Sequence, residues 1–304
     1  MKNVLKKLFK IYNEKKNYSI GLSHFVKISP NYSQYKNLNN LDYKVYSQNG
    51  EDGILDYFLS CLNIDKPKFV EIGIGDYSEC NSRFIFERAS PKGLVIDCIE
   101  NLKKKVSRNA KLWKGDLKII NEKINSNNII EILNNNSFLD ELDLFSLDID
   151  STDYWVLKKM PNNFSKIAII EYNSVFGPDL KITVPNIDNF NRNEYHFSYL
   201  CFGASLRAII DLMEEKNFKF VGTNLARCNA FFILEKYLDK INVEIPNKNN
   251  LSNHTDSNIR ESRDQSGKLN YISGDERIKS IYECDMVDLN DNKIKKIKSF
   301  FETT

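Results

Sequence analysis

The sequence predicts an α/β fold in which a mostly parallel, seven-stranded sheet carries helices on both faces. Between residues 66 and 173, short apolar runs alternate with stretches whose apolar residues recur at helical spacing. The runs are apolar throughout, which is typical of strands buried on both faces of a parallel sheet. Two later runs, "FKFVGTN" and "NAFFIL", are separated only by "LARC", and this short link predicts an antiparallel pair that closes the sheet.

The individual elements follow from these patterns. Strands are predicted in "KPKFVEIGIG" (66–75), "KGLVIDC" (92–98), "DLFSLDID" (143–150) and "SKIAIIEYN" (165–173), with a weaker strand in "KLWKGDLKII" (111–120). Helical spacing predicts helices over 81–89, 99–109, 121–133, 152–159 and 204–217. Because parallel strands need a crossover between them, this alternation predicts a parallel sheet covered by helices.

The regions outside this alternation differ in composition. Residues 1–40 are predicted to form a helical and polar N-terminal extension, and residues 41–238 the main domain. Residues 239–304 are predicted to form a polar C-terminal extension with a terminal helix near 290–301. Within the main domain, residues 174–203 form a Pro-, Asn- and Tyr-rich insertion that is too polar for a core and too aromatic for a linker.

The N-terminal segment "MKNVLKKLFKIYNEKKNYSI" places apolar residues at helical spacing with lysines opposite. Such a helix packs on its own domain or on a second copy of the chain, which would make the protein a homo-oligomer. The alternative is a helix that rests on a membrane surface. No apolar stretch is long enough for a signal sequence or a membrane span, so no integral membrane segment is expected.

Composition excludes several classes of function. The 304 residues are 41% hydrophobic and 28% charged, as in a soluble globular protein with a large core. The net charge of +2 offers no electrostatic footprint for nucleic acid. The 6 cysteines contain no CxxC pair, so they are expected to be reduced thiols of a cytoplasmic protein rather than zinc ligands.

A glycine-rich turn follows the first predicted strand, in "KFVEIGIGDYSECNSRF" (68–84). Gly73 and Gly75 allow the backbone to approach a ligand at the start of the next helix. A dinucleotide site would add a third glycine at the position of Ser78. The turn therefore predicts a ligand site, but it departs from the dinucleotide pattern.

Carboxylates surround this turn. Glu71 precedes the glycines, and Asp76 and Glu79 follow them, so a pyrophosphate placed here would meet Coulomb repulsion. A ligand with positive charge, such as the sulfonium and ammonium groups of S-adenosylmethionine, is favoured instead. Asp97 ends the second strand 22 positions after Gly75 (97 − 75), the usual spacing for a carboxylate that binds both ribose hydroxyls.

The chain resembles a known family over residues 46–234. "EIGIGDYSECNSR" followed by "GLVIDC" is similar to the class I S-adenosylmethionine-dependent methyltransferases, which have a Rossmann-like fold. "YSQNGEDGIL" (46–55), "SLDIDSTDYWVLK" (146–158), "IIEYNSVFGP" (169–178) and "FGASLRAIIDL" (202–212) resemble a bacterial FkbM-like group. The block "ESRDQSGKLNYISGDERI" near the end resembles the same group. Such proteins are associated with capsule, lipopolysaccharide and other glycan-modifying pathways.

The resemblance assigns cofactor contacts. It implies that Glu71, Gly73 and Gly75 surround the methionine part of S-adenosylmethionine, that Asp97 binds the ribose and that Asp116 lies near the adenine. An alternative for Asp116 is a capping role.

The motif "YSQNGED" before the first strand has two interpretations. Gln48, Asn49 and Glu51 close over the cofactor, or they cap the helix that begins near Glu51. Gln48 is the residue that we expect to contact the cofactor.

The segment "LDIDSTDYW" carries the acids of greatest chemical interest. Asp148 and Asp150 are two positions apart at the carboxyl end of a strand and therefore share one face. In one interpretation Asp150 contacts the cofactor and Asp148 is the catalytic base; in the other, both bind a divalent cation such as Mg²⁺ together with Glu171 and Asn173. In a purely structural interpretation, Asp150 and Asp153 cap the following helix.

The insertion is predicted to form the wall that binds the acceptor. Its rings and hydrogen-bonding groups suit a sugar, and its candidate substrate-binding residues are Tyr172, Phe176, Arg192, Tyr195 and Tyr199. His196 lies in the same segment and is a second candidate for the catalytic base. Arg207 and Arg227 are candidates for contact with a phosphate, if the acceptor is a nucleotide sugar.

These observations predict an S-adenosylmethionine-dependent methyltransferase that methylates a hydroxyl of a carbohydrate, with a nucleotide-activated sugar as the preferred acceptor. One alternative is an NAD-dependent sugar oxidoreductase, which the acidic turn disfavours. Another is a non-catalytic cofactor-binding partner in glycan assembly. A third keeps the chemistry and moves the methyl group to the nitrogen of an amino sugar.

Overall fold

A computed structural model describes residues 29–302 and isolated positions before them. Those positions are Phe9, Tyr12, Asn13, Lys16, Tyr18, Ile20, Gly21, Ser23 and His24. The amphipathic helix predicted near the N-terminus falls largely outside the described residues. Among the described residues, no helix is both long and apolar enough to cross a membrane.

The described strands form one large sheet and one small sheet. Their bounds are β1 Lys68–Ile72, β2 Lys92–Asp97, β3 Asp116–Asn121, β4 Leu142–Leu147, β5 Ser165–Glu171, β6 Ile182–Thr183, β7 Phe218–Thr223, β8 Asn229–Leu234, β9 Asp285–Asp288 and β10 Lys293–Lys296. The seven-stranded sheet has the order β3-β2-β1-β4-β5-β8-β7. β8 is antiparallel to both of its neighbours, β5 and β7, and the other pairings in this sheet are parallel. The predicted fold class, including the antiparallel pair, is confirmed.

Helices cover both faces of the sheet. Their bounds are α1 Glu51–Cys61, α2 Arg83–Ala89, α3 Leu102–Asn109, α4 Ile129–Asn135, α5 Asp153–Lys159, α6 Arg192–Tyr195, α7 Leu206–Glu215 and α8 Asp275–Ser280. Helices α1, α2 and α3 pack into one apolar cluster, and α4, α5 and α7 pack into another. In β1, Phe69 belongs to the first cluster and Val70 to the second, because successive strand side chains point to opposite faces.

One predicted helix starts later than its apolar pattern suggested. Residues 121–133 were expected to be helical, but α4 begins at Ile129. The side chain of Asn125 accepts hydrogen bonds from the backbone N–H groups of Asn127 (2.8 Å) and Asn128 (3.2 Å). This local bonding holds a turn in place of the first helical residues.

The insertion and the C-terminal extension fold together. Strand β9 of the extension pairs with β6 of the insertion and with β10, which gives the small sheet the order β10-β9-β6. Ile182, Cys201, Met286 and Ile297 share a buried cluster that we call the small core. The C-terminal extension is therefore built into the wall of the domain.

The terminal helix predicted near 290–301 is wrong. This stretch forms a turn and strand β10, followed by a short 3₁₀ turn over Ile297–Phe300. The Asp288 carboxylate accepts from the backbone N–H of Asn290 at 2.9 Å, which closes the hairpin. Pairing of β10 with β9 then supplies backbone hydrogen bonds that a helix over this stretch would forfeit.

Met286→Ala is expected to lower the free energy of unfolding by about 2–5 kcal/mol, because it leaves a cavity at a fully buried position of the small core. Ile294→Ala on the neighbouring strand β10 is the matched control. Its side chain is 63% exposed, so the expected change is below about 0.5 kcal/mol. Urea denaturation of the full chain measures both. Equal small effects would mean that the extension is not part of the folded core.

Candidate functional site

A cleft of about 900 Å³ opens where β1, β2, β3 and β4 end. Its floor is the glycine turn after β1, and its walls come from the loops after β2, β3 and β4, from the insertion and from the C-terminal extension. The carboxyl edge of an open parallel sheet is the usual place for a ligand. The volume is typical of small-molecule sites.

Gly73 and Gly75 both adopt left-handed backbone conformations, for different reasons. Gly73 has φ +88°, and a Cβ there would lie 1.4 Å from the backbone oxygen of Asp148. Gly75 has φ +53° and open space where its Cβ would be. The first glycine allows β1 and β4 to meet closely, and the second leaves the floor of the cleft free for a ligand.

Asp97 joins this turn to the end of β2. One carboxylate oxygen accepts from the backbone N–H of Gly75 at 2.7 Å, and the other accepts from the N–H of Ile99 at 3.0 Å. Both bonds fix the orientation of the carboxylate before any ligand arrives. Asp97 also lines the cleft, where each oxygen retains lone pairs for a further donor.

Glu71 lies beneath the cleft rather than in its lining. Its carboxylate accepts from the backbone N–H groups of Asn81 (2.7 Å) and Ser82 (2.8 Å), immediately before α2. Burial raises the pKa of Glu71 to about 7, although these hydrogen bonds oppose the increase. Glu71 therefore positions the start of α2, and its predicted contact with the cofactor is not supported by its orientation.

Asp116 is not brought to the cleft. It is the first residue of β3 and pairs with Lys92, so it lies at the amino edge of the sheet, opposite the site. Glu122 and Lys123, just after the end of β3, line the cleft instead. The predicted stretch 111–120 contains all of β3 except its last residue, Asn121.

In the motif before α1, Gln48 and Glu51 have different roles, one at the cleft and one at the start of the helix. Gln48 lines the cleft. Glu51 is buried, and one of its oxygens accepts from the side chains of Asn224 (2.7 Å) and Asn229 (2.8 Å). Its other oxygen accepts from the N–H of Asn49 at 2.9 Å, so Glu51 ties the start of α1 to β8.

Three carboxylates converge at the ends of β4 and β5. Asp148, Asp150 and Glu171 each offer an oxygen within 4.8 Å of the others. Burial, followed by the neighbouring negative charges, raises the pKa of both Asp148 and Glu171 well above its usual range. Two carboxyl groups this close hold a shared proton or a cation between them.

Asp150 and Asp153 differ in their partners. Asp150 forms an ion pair with Arg192 from α6. Asp153 accepts from the backbone N–H groups of Ile149 (2.9 Å) and Ser151 (3.0 Å), which closes the turn before α5. Asp153 therefore holds the turn before α5 and does not cap the N–H groups of the helix, and Asp150 faces the cleft.

Asn173 does not fit the predicted metal set. Its side-chain oxygen accepts from the N–H of Val175 at 3.1 Å, and its amide donates to the backbone oxygens of Leu200 (2.8 Å) and Phe202 (3.0 Å). The side chain is thus committed to holding the insertion. Without Asn173, the carboxylates that remain close together are those of Asp148, Asp150 and Glu171.

Two of the five predicted acceptor residues, Arg192 and Tyr199, line the cleft. The other three are committed elsewhere. Phe176 is buried in the small core, the Tyr172 hydroxyl donates to the backbone oxygen of His254, and the Tyr195 hydroxyl donates to that of Asp285 at 2.6 Å. Tyr172 packs in the main core and Phe176 and Tyr195 pack in the small core, instead of facing a ligand.

His196 is a neighbour of the cleft but not part of its lining. Its Nδ1 lies 2.7 Å from the Ser198 hydroxyl oxygen, and partial burial lowers its pKa. This contact braces the loop after α6. The predicted role of His196 as a base is not supported by its position.

Arg207 and Arg227, predicted as phosphate contacts, lie outside the cleft. Arg207 pairs with Asp211 at 3.2 Å, and Arg227 donates to the backbone oxygen of Asp256. The basic side chains that line the cleft are Lys123, Arg192 and Arg263. Arg263 and Glu261 come from the block "ESRDQSGKLN". This block lies beside the site because the C-terminal extension folds against the insertion.

No family model and no curated protein matches the chain. Among solved structures, it is similar to an S-adenosylmethionine-dependent methyltransferase from Clostridium acetobutylicum, at 9% identity and a TM-score of 0.39. That match covers 64% of this chain and 93% of the other. It is also similar to PKMT2 from Rickettsia typhi, solved in complex with AdoHcy, at 13% identity and a TM-score of 0.36. That match covers 62% of this chain and spans about half, 51%, of the other.

Gly73→Ala is expected to destabilise the protein by about 3 kcal/mol or more, because the new Cβ meets the Asp148 carbonyl and the left-handed backbone is strained. Gly75→Ala carries only the backbone strain and is expected to lose about 1 kcal/mol. Urea denaturation compares the two variants. If both lose the same amount, the close approach of β1 and β4 does not constrain the turn.

Proposed function

We propose that the protein is an S-adenosylmethionine-dependent O-methyltransferase whose acceptor is a hydroxyl of a carbohydrate, preferably a nucleotide-activated sugar in cytoplasmic surface-glycan synthesis. The observation that carries the proposal is an acidic cleft whose floor is the glycine turn. Asp97 is fixed beside this turn, and the backbone of Asp148 lies against it.

The residues present fit S-adenosylmethionine. The cofactor is cationic, and four of the carboxylates that line the cleft belong to the first three strand ends: Asp76, Glu79, Asp97 and Glu122. Asp97 would accept from the ribose hydroxyls, and the open side of Gly75 leaves space for the ligand. When bound, S-adenosylmethionine supplies a methyl group on a sulfonium, ready for displacement by a nucleophile.

Asp148 is the base in this proposal. An alcohol loses its proton as its oxygen attacks, so a carboxylate within reach of the acceptor must take that proton. Asp148 lines the cleft, and an oxygen of Glu171 lies within 4.8 Å of an oxygen of Asp148. When Glu171 holds a proton, the buried Asp148 carboxylate can remain ionised. One member of the pair is then protonated and the other is ionised.

The same carboxylates offer a second use. Asp148, Asp150 and Glu171 supply oxygen ligands at a mutual spacing that suits a hard cation such as Mg²⁺. Bound there, a divalent cation would lower the pKa of an acceptor hydroxyl. Asp150 would have to leave its ion pair with Arg192 to join the set.

A carbohydrate acceptor fits the remaining wall. Tyr199 offers a flat ring, and Asn191, Arg192 and Asn193 offer hydrogen-bonding groups around it. This mixture suits hydroxyl-rich ligands better than apolar ones. The neighbouring carboxylates disfavour the pyrophosphate of NAD at the glycine turn.

Asp97→Ala is expected to weaken binding of S-adenosylhomocysteine by about tenfold or more, since charge-assisted hydrogen bonds to the ribose are lost. Asp116→Ala, at the opposite edge of the sheet, is the control and should leave the affinity unchanged. Isothermal titration of the wild type with S-adenosylmethionine, S-adenosylhomocysteine and NAD tests the proposal itself. Binding of NAD alone would replace it with an oxidoreductase.

Asp148→Asn is expected to reduce turnover by about 100-fold or more, because the base is lost, and to change the dissociation constant of S-adenosylmethionine by less than about threefold. Release of S-adenosylhomocysteine in a screen of nucleotide sugars measures turnover, with Asp116→Asn as the control. Activity that survives EDTA assigns Asp148 as the base. Activity lost with EDTA and restored by Mg²⁺ assigns it as a metal ligand, and wild-type turnover in the variant removes it from the mechanism.

A further inference from the structure

The charges that line the cleft are segregated. Carboxylates occupy the glycine turn and the first strand ends, whereas Arg192 and Arg263 lie on the wall formed by the insertion and the extension. Lys123 also lines the cleft, after β3. A ligand that spans the cleft therefore meets negative charge at one end and positive charge at the other.

The two arginines are oriented by aromatic rings. The Arg192 guanidinium lies 4.3 Å from the centre of the Phe202 ring, and the Arg263 guanidinium lies 4.8 Å from that of Tyr199. Stacking of this kind fixes the plane of a guanidinium. The N–H groups of Arg192 also pair with Asp150, and Arg263 donates to the backbone oxygen of Gly267 at 3.1 Å. Arg192 also donates to the backbone oxygen of Tyr199 at 3.0 Å, which links the two stacked pairs.

Glu261 lies between the two arginines. Its carboxylate oxygens are 3.8 Å from Arg192 and 3.5 Å from Arg263. Both distances exceed those of a good charge-assisted hydrogen bond. The Glu261 side chain is 45% exposed, so solvent weakens these ion pairs further.

Positive charge accumulates around this carboxylate. Arg277 lies close enough to Arg260 and Arg192 that their charges, after burial, lower its pKa, while Glu261 opposes the decrease. Arg277 also donates to the backbone oxygen of Ile259. Of the two carboxylates that pair with Arg192, Asp150 and Glu261, Glu261 is thus the more loosely held.

We propose that Arg192 and Arg263 form a subsite for the phosphate groups of the acceptor, and that Glu261 occupies this subsite until the acceptor displaces it. The inference rests on the proposed function and narrows its acceptor class to phosphorylated sugars such as nucleotide diphosphate sugars. A phosphate is the natural replacement, because two oriented guanidinium groups bind its oxygens in pairs and its charge exceeds that of a carboxylate.

A structural role for Glu261 predicts the opposite result. If Glu261 only holds the arginines in place, its removal disorders them and weakens anion binding. If it competes with the ligand, its removal strengthens binding. The sign of the effect therefore decides between the two roles.

The test is calorimetric titration of inorganic pyrophosphate into the full-length protein at constant ionic strength. The wild type is expected to bind, Arg263→Ala to bind about tenfold or more weakly, and Arg263→Lys to lie between them. Glu261→Gln is expected to bind at least about threefold more tightly, since the competing charge is gone. Glu283→Gln is the matched control, because Glu283 is 70% exposed and pairs with Lys298 away from the cleft.

Weaker or unchanged binding by Glu261→Gln, or no binding by the wild type, overturns the proposal. So does a loss in Arg263→Ala that is accompanied by a lower melting temperature and is not reversed in part by Arg263→Lys. Titration of S-adenosylhomocysteine in the same variants keeps the two proposals separate. If pyrophosphate shows the expected pattern and S-adenosylhomocysteine fails to bind, the subsite stands and methyl transfer falls.

Discussion

The close approach of β1 and β4 is the constraint on which the site depends. The backbone oxygen of Asp148 lies where the Cβ of any residue other than glycine at position 73 would be. This contact brings the end of β4 against the glycine turn and so sets Asp148 beside the floor of the cleft. Asp97 then fixes the other side of the turn through the N–H of Gly75. The ends of β1, β2 and β4 are therefore held together by the absence of a side chain at Gly73 and by the carboxylate of Asp97.

The insertion and the extension complete the site because neither can form a wall alone. β6 has two residues, too few for a stable strand without partners, and β9 supplies one of them. Most of the aromatic rings of the insertion pack in the small core that the two segments share. What remains for the cleft is mostly polar, including Arg192 and Tyr199 from the insertion and Glu261 and Arg263 from the extension.

The sequence predicts the sheet and its glycine turn well because both depend on local patterns. Buried strands are continuous apolar runs, and Gly73, Gly75 and Asp97 stand at fixed positions relative to strand ends. Side-chain direction in the irregular insertion has no such pattern, so Tyr172 and Tyr195 were placed in the cleft when they pack inward. Pairing of residues 285–288 with 182–183 is a long-range contact that no local sequence pattern predicts.

The separation of charge across the cleft links the two proposed ligands. A cationic cofactor beside the acids of the strand ends and an anionic acceptor beside the arginines of the wall would each be attracted to one end and repelled from the other. Asp150, paired with Arg192, lies at the boundary between the two ends, next to Asp148. The field of the cleft would thus orient both ligands so that their reacting atoms meet at the carboxylates of β4. A chain of net charge +2 achieves this by placing its charges unevenly rather than by carrying an excess of either sign.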